Sequence, residues 1–345
     1  MRVLHAVKKP VEQLQFADGT RLLLLVYGGR LLGLFHEKSE ENFLWTHPAL
    51  ESVPTARRFY NSEAWHNSGG ERTWLSPEID LFLPDFPKTD RYFQPRQLDP
   101  GDYKISGEMD QRSLKNELTV NLSRSRKEVH LQIAREFGPA ADPLRYEPQY
   151  SDLRKELVYA GCAQRSTLSI LDASPDSSIQ VGLWSLLQLP HGGEMLIPVF
   201  GRATPRTLLG KINPSDLREE DGLVRWKMRA KGEHKIGLNA VSCAGRIGYV
   251  HQRSKTEWDL VVRNFFVAPS SEYIDAPWSD PSALGCAVQA CNVHSGLGSF
   301  SELEYHSPAV NHFQTSRADV SQLWAYRGSR EAIGSVSQIL LGVSP

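Results

Sequence analysis

Glu302, Glu304 and His306 fall two positions apart in the run Ser299-Phe300-Ser301-Glu302-Leu303-Glu304-Tyr305-His306-Ser307-Pro308. Alternate side chains on a strand share a face. Phe300, Glu302, Glu304 and His306 therefore lie together, and Ser301, Leu303 and Tyr305 take the other side. Carboxylates on a packed face are costly unless paired or solvated. Two explanations compete: a structural salt bridge to arginine, or one wall of a polar cleft in which protons move.

A second group surrounds a glycine pair, in Glu63-Ala64-Trp65-His66-Asn67-Ser68-Gly69-Gly70-Glu71-Arg72-Thr73-Trp74-Leu75-Ser76-Pro77-Glu78. The indole faces of Trp65 and Trp74 can stack on the C–H faces of sugar rings. His66, Glu71 and Arg72 can hydrogen-bond ring hydroxyls. The alternative is a core loop with Glu71 and Arg72 solvated. A third group spans Trp184 to Glu194, with Trp184 and Gln188 on one strand face and His191 beside the turn Gly192-Gly193. Alone, His191 reads first as a turn residue. Of these, the second group has the composition of a ligand pocket, with a mono- or oligosaccharide as the ligand.

Other chemistries lack their central element. His234, His251, His294 and His312 have neither His-x-His nor His-x-x-x-His spacing, and Cys162, Cys243, Cys286 and Cys291 have no CxxC pair. No metal, cofactor or disulfide framework is expected. Gly-x-Ser-x-Gly and Walker patterns do not occur, which removes the motif-based grounds for a hydrolase elbow or a phosphate loop.

The elements that must position these groups read as strands. Thr20 to Val26 and Leu31 to Phe35 flank Gly28-Gly29 as a hairpin. Glu117 to Ser123 and Glu128 to Glu136 alternate around the polar link Arg124 to Lys127. Further strands are expected at 156–161, 166–171, 179–189, 194–200, 224–229, 235–238, 247–251, 259–267, 285–292 and 320–326, with turns at Ser174-Pro175-Asp176, His191-Gly192-Gly193 and Asp221-Gly222. Residues 36–115 read as long ordered loops rich in aromatics and prolines. A one-turn helix is expected at Asn213-Pro214-Ser215-Asp216. A longer one starts at Ser329, with Ala332, Ile333, Val336, Ile339 and Leu340 on one side. The expectation is all-β, with a short C-terminal helix, in one domain over residues 1–345.

Bulk composition excludes some partners. Basic residues (39) and acidic residues (40) cancel, so no nucleic-acid or acidic-membrane partner is expected. No apolar run is long enough to cross a bilayer. Met1 to Lys9 is followed by no apolar core that would make a signal peptide. The scattered cysteines read as reduced thiols of a cytoplasmic protein.

In order along the chain, Tyr27-Gly28-Gly29-Arg30, Gly69 to Glu78, Val181 to Leu186, Ile197-Pro198 and Phe300 to Glu304 with Pro308 resemble the galactose mutarotase-like superfamily, over roughly residues 12 to 328. That resemblance implies a large antiparallel β-supersandwich with a carbohydrate cleft on one sheet. It further implies aldose 1-epimerase-like chemistry, in which a glutamate takes the anomeric proton and a histidine protonates the ring oxygen. Leu303-Glu304 ahead of Pro308 matches the family's base, so Glu304 takes that role. The family's mid-chain acid histidine has no counterpart in Trp184 to Leu189. His66 or His191 replaces it, or the protein binds carbohydrate without turnover. Arg72, Glu71, Trp65, Trp74, Trp184, Gln188, Glu302 and His306 are the expected substrate-binding residues.

Overall fold

The computed structural model describes residues 1–37, 39–108, 111–172 and 176–344. Among these, strands form two antiparallel sheets. The nine-stranded sheet runs, edge to edge, through Val11–Gln15, Thr20–Leu25, Arg30–His36, Glu71–Ser76, Gly182–Pro190, Gly298–His306, Val288–Ser295, Gly232–Leu238 and Arg206–Leu209. The ten-stranded sheet centres on Arg246–Gln252, Trp258–Phe265, Ser316–Gly328, Val158–Ile170 and Lys127–Pro139. The inward faces meet in a shared core. Leu187, Leu303 and Tyr305 of the first sheet cluster with Met195, Tyr249, Val261 and Leu323 of the second. Each large apolar side chain so buried contributes about 1.5–3 kcal/mol.

The expected hairpins form. Thr20–Leu25 pairs with Arg30–His36 across Gly28 and Gly29, both at positive φ, where glycine avoids the Cβ penalty. Arg112–Leu122 pairs with Lys127–Pro139, Leu122 opposite Lys127. The C-terminal helix spans Arg330–Leu341. Ser329 Oγ accepts from the Ala332 N–H, and Gly342 ends the helix in the left-handed conformation. Ile333, Val336 and Leu340 pack it against Leu196, Val250 and Trp324 of the ten-stranded sheet.

Several expectations need correction. The two strands expected at 156–161 and 166–171 are one, Val158–Ile170, because both neighbours pair with it through Cys162 to Arg165. Asn213 to Asp216 is a turn rather than a helix: Asn213 Oδ1 accepts from the Ser215 N–H and its carbonyl from the Asp216 N–H. The segment 36–115 is not only loops, since it holds the helix Val53–Tyr60 and the central strand Glu71–Ser76. That strand is buried on both faces and lacks the alternation that marks a half-exposed one. Cys286 precedes its expected strand, observed as Val288–Ser295, and all four cysteines are free and buried. Ser174 and Pro175 of one expected turn lie outside the described residues.

Alternation along Glu71–Ser76 sends Glu71 between the sheets and Arg72 outward. Glu71 is therefore not among the ligand-facing groups, contrary to expectation. Its Oε2 accepts from Arg135 Nη2 and from Gln164 Nε2 at 2.9 Å, and its Oε1 accepts from Ser185 Oγ at 3.0 Å with Arg263 Nη2 at 3.5 Å. Burial opposes its charge, but Arg135 and Arg263 hold its pKa below the usual value. Removing one partner of a buried pair leaves an uncompensated charge. Glu71→Gln is therefore expected to cost about 3–5 kcal/mol in urea unfolding; a change below about 1 kcal/mol would refute the role given to this carboxylate.

Candidate functional site

The outward face of the nine-stranded sheet bounds a cavity of about 650 Å³. Cross-strand register builds its floor. Lys235 lies opposite Cys291, Cys291 opposite Glu302, and Glu302 opposite Gln188. One step along, Glu304 pairs with Leu186 and Leu186 with Arg72. Trp65, Trp74, Trp184, Trp278, Tyr92 and Phe300 give the cavity aromatic walls. Two of those indoles are held by one atom. Asp99 Oδ2 accepts from Trp65 Nε1 and Trp74 Nε1, both at 3.0 Å, and from Arg30 Nη2 at 2.9 Å.

Glu304 is fully buried from bulk solvent yet borders the cavity. Its Oε2 accepts from Trp184 Nε1 at 2.8 Å and lies 3.5 Å from Lys235 Nζ, while Oε1 has no hydrogen-bond partner. Burial raises its pKa to about 7; Lys235 works against that rise and Glu302 adds to it. Glu302 accepts from Arg72 Nη1 at 2.9 Å and from Gln188 Nε2 at 3.0 Å. Glu78 accepts from Tyr92 Oη at 2.8 Å and Trp278 Nε1 at 3.0 Å, and lies 3.7 Å from Lys235 Nζ. Burial raises the Glu78 pKa as well, with Lys235 opposing and Asp275 reinforcing. Burial penalises the Lys235 ammonium, yet Glu304, Glu78 and Asp275 together keep it above the usual lysine range.

The expected residues divide. Glu304, Arg72, Trp65, Trp74, Trp184 and Glu302 border the cavity. Gln188 sits behind Glu302 and fixes it. His306 packs against Trp184 with ring centroids 5.4 Å apart, its Nε2 3.7 Å from Asp275. Burial, then Lys235, holds the His306 pKa well below the usual value, so it is neutral. Neither proposed acid histidine reaches the cavity. His66 is enclosed by Tyr27, Phe59 and Tyr60; its Nδ1 shares a 2.5 Å hydrogen bond with Tyr27 Oη, and its Nε2 is 3.0 Å from the Ser62 carbonyl. His191 pairs with Asn292 Oδ1 at 3.0 Å and stacks on His294 at the end of the sheet.

Lys235, Glu78, Asp275, Trp278 and Cys291 went unrecognised as cavity residues. Lys235 alone carried a local signal, a charge directly ahead of the apolar run Ile236-Gly237-Leu238. The ligand atoms of Cys291, Glu302 and Glu304 lie within 4.8 Å of one another, a convergence that linear spacing could not reveal. Burial, with the charges of Glu302 and Glu304, raises the Cys291 pKa well above the thiol range. The sulfur therefore stays protonated, while the carboxylates are engaged by Arg72 and Lys235.

No protein-family model matches the sequence, and no curated protein matches it. Solved structures do. A galactose mutarotase-like protein from Lactobacillus casei ATCC 334 superposes with a TM-score of 0.53 at 10% identity, over 92% of this chain and 100% of that one. A galactose mutarotase related enzyme from Lactobacillus acidophilus gives 0.50 at 8% identity, over 91% and 96%. The chain has the galactose mutarotase-like fold. At these identities the likeness is one of architecture. What the mutarotase-like fold supplies here is a broad sheet face on which five adjacent strands bring Arg72, Trp184, Glu304, Cys291 and Lys235 to one cavity. Among the described residues, no helix is long and apolar enough to cross a membrane.

Glu304 also links the cavity to stability. Its carboxyl gains a proton in the fold that an unfolded chain releases near 4.5. Its contribution is therefore fully present below that pH and is lost as pH rises through about 7. Glu304→Gln, which cannot ionise, is expected to raise Tm relative to the parent more at pH 8 than at pH 5. An equal or reversed difference in calorimetry would contradict the raised pKa.

Proposed function

We propose that the cavity binds an aldose and interconverts its anomers by acid/base ring opening, in the manner of an aldose 1-epimerase, with Glu304 as base. The observation that carries this reading is the free Glu304 Oε1: a buried carboxylate oxygen without a partner, on a group titrating near neutrality, at the edge of a cavity walled by indoles. Indole faces take the C–H faces of a pyranose, and Arg72, Glu302 and Lys235 meet its hydroxyls.

With both histidines elsewhere, the group beside Glu304 that can deliver a proton to the ring oxygen is the Lys235 ammonium, 3.5 Å from its carboxylate. Glu304 Oε1 takes the proton of the anomeric hydroxyl as the C1–O bond becomes a carbonyl. The bond from C1 to the ring oxygen breaks, and that oxygen takes a proton from Lys235. After the carbonyl turns, the ring oxygen attacks its other face, returning its proton to Lys235 as Glu304 returns the first one to the new hydroxyl. A lysine whose pKa is raised gives up its proton only to a strongly basic oxygen, which an opening ring supplies.

A second reading, carbohydrate binding without turnover, is favoured by one observation: neither His66 nor His191 reaches the cavity. Polarimetry on freshly dissolved pure anomers separates the two. Catalysed mutarotation should rise with pH through about 7 as Glu304 ionises. Glu304→Gln should lower the catalysed rate about 10²- to 10⁴-fold, and Lys235→Met should lower it while leaving sugar binding measurable. Saturable sugar binding with no acceleration for any of a broad aldose panel would leave the binding reading alone.

A further inference from the structure

The charges around the cavity do not balance. Among the described residues, its carboxylates are Glu78, Glu233, Asp275, Glu302 and Glu304, and its permanent cations are Arg72 and Lys235. Burial lowers the pKa of the neighbouring His47, which therefore adds no charge at neutral pH. Arg72 is taken up by Glu302, and Lys235 is shared between Glu304 and Glu78. Two carboxylates remain without a cation. Glu233 accepts from Ser295 Oγ at 2.7 Å. Asp275 accepts from Gln289 Nε2 at 2.6 Å and the Glu78 N–H at 2.7 Å, and the basic side chain in contact with it is the neutral His306; Lys235 is near enough to feel its charge, but among the described residues no ion pair joins the two. Glu304, whose buried Oε1 has no hydrogen-bond partner, lines the same space.

We infer that the natural ligand of this cavity is a cationic aldose, an amino sugar with a free ammonium, and that phosphorylated and carboxylated sugars are rejected. The inference rests on the reading of the cavity as an aldose site and adds the charge of the ligand to it. An anionic substituent would enter a space with five acidic side chains, Glu78 and Glu304 among them with raised pKa values, and no spare cation, so like charges repel. An ammonium meets the reverse: a carboxylate short of a counter-ion, with aromatic faces beside it that also favour a cation. The raised pKa values of Glu78 and Glu304 have the same origin in part, since neighbouring acids add to the effect of burial in both. Neutral hydroxyls can still be served by Arg72 and Lys235.

Calorimetric titration at neutral pH, with the gluco, galacto and manno series each offered as the 2-amino sugar, its N-acetyl derivative, the neutral parent and the 6-phosphate, tests this directly. A 6-amino-6-deoxy sugar covers a second position for the ammonium. The expected result is an amino sugar bound at least tenfold more tightly than its neutral parent, the preference lost on N-acetylation, and no measurable binding of the phosphate. Glu233→Gln or Asp275→Asn should remove the amine preference while the neutral parent still binds; these two positions keep the test usable if one variant fails to fold. Equal binding of neutral and amino sugars, tighter binding of the phosphate, or a preference that survives in both variants would overturn the inference and leave the aldose site standing. Binding of no sugar in any series would overturn the aldose reading itself. Saturable binding of Zn²⁺ alone, abolished by Cys291→Ser, would assign the excess negative charge to a metal site and also overturn the inference.

Discussion

One carboxylate fixes the relation between the two sheets. Glu71 leaves the nine-stranded sheet inward and is gripped by Arg135, Gln164 and Arg263, which come from three strands of the other sheet. A buried ionic cluster contributes less to net stability than its contact list suggests, because desolvation offsets much of the attraction. Its stronger effect is on register. A strand slipped by one residue would present Arg72 to two arginines and Glu71 to the cavity, exchanging every side chain between core and site. The position of Arg72 against Glu302, and through it the floor of the cavity, follows from where Glu71 is held.

The cavity floor then obeys a charge constraint of its own. Lys235 supplies a single ammonium to two carboxylates, with a third close enough to add to its charge stabilisation. One positive charge cannot hold all of those acids ionised in a dry environment, so protonation is shared among them and Glu304 titrates near neutrality. A carboxyl that titrates near pH 7 thus arises from burial, with the crowding of acids on one sheet adding to it.

Much of the architecture was legible in the sequence because period-two alternation is strong wherever a strand has one polar face. Arg112–Leu122 and Lys127–Pro139 are examples, with buried and exposed residues alternating along most of their length. The face shared by Phe300, Glu302 and Glu304 was read from the same rule, and all three border the cavity. Glu71–Ser76 defeated the rule because both its faces are covered. Glu71 and Arg72 were assigned together for that reason, although adjacent residues on a strand point apart. Lys235 and Cys291 were missed for a different reason. Their importance lies in lateral neighbours, Cys291 beside Glu302 and Lys235 beside Cys291, set by a strand order that no local pattern encodes. The two histidines were candidates for the place of the family's missing mid-chain histidine, which says nothing of where they lie: aromatic packing encloses His66, and His191 stacks on His294 away from the cavity.

The Asp99 carboxylate gathers two indole N–H groups and the Arg30 guanidinium onto a single oxygen, and Arg30 reaches on to the Gly69 carbonyl at 3.1 Å. Trp65 and Trp74 have therefore lost their rotational freedom before any guest arrives. The entropy that a mobile aromatic wall would surrender at each encounter is surrendered once, when the chain folds. Such a wall cannot mould itself to ring shapes of very different outline. For a ligand seated there, recognition on that side would be by rejection of the wrong contour, and a broadening of the range of guests would begin with a loosening of Asp99.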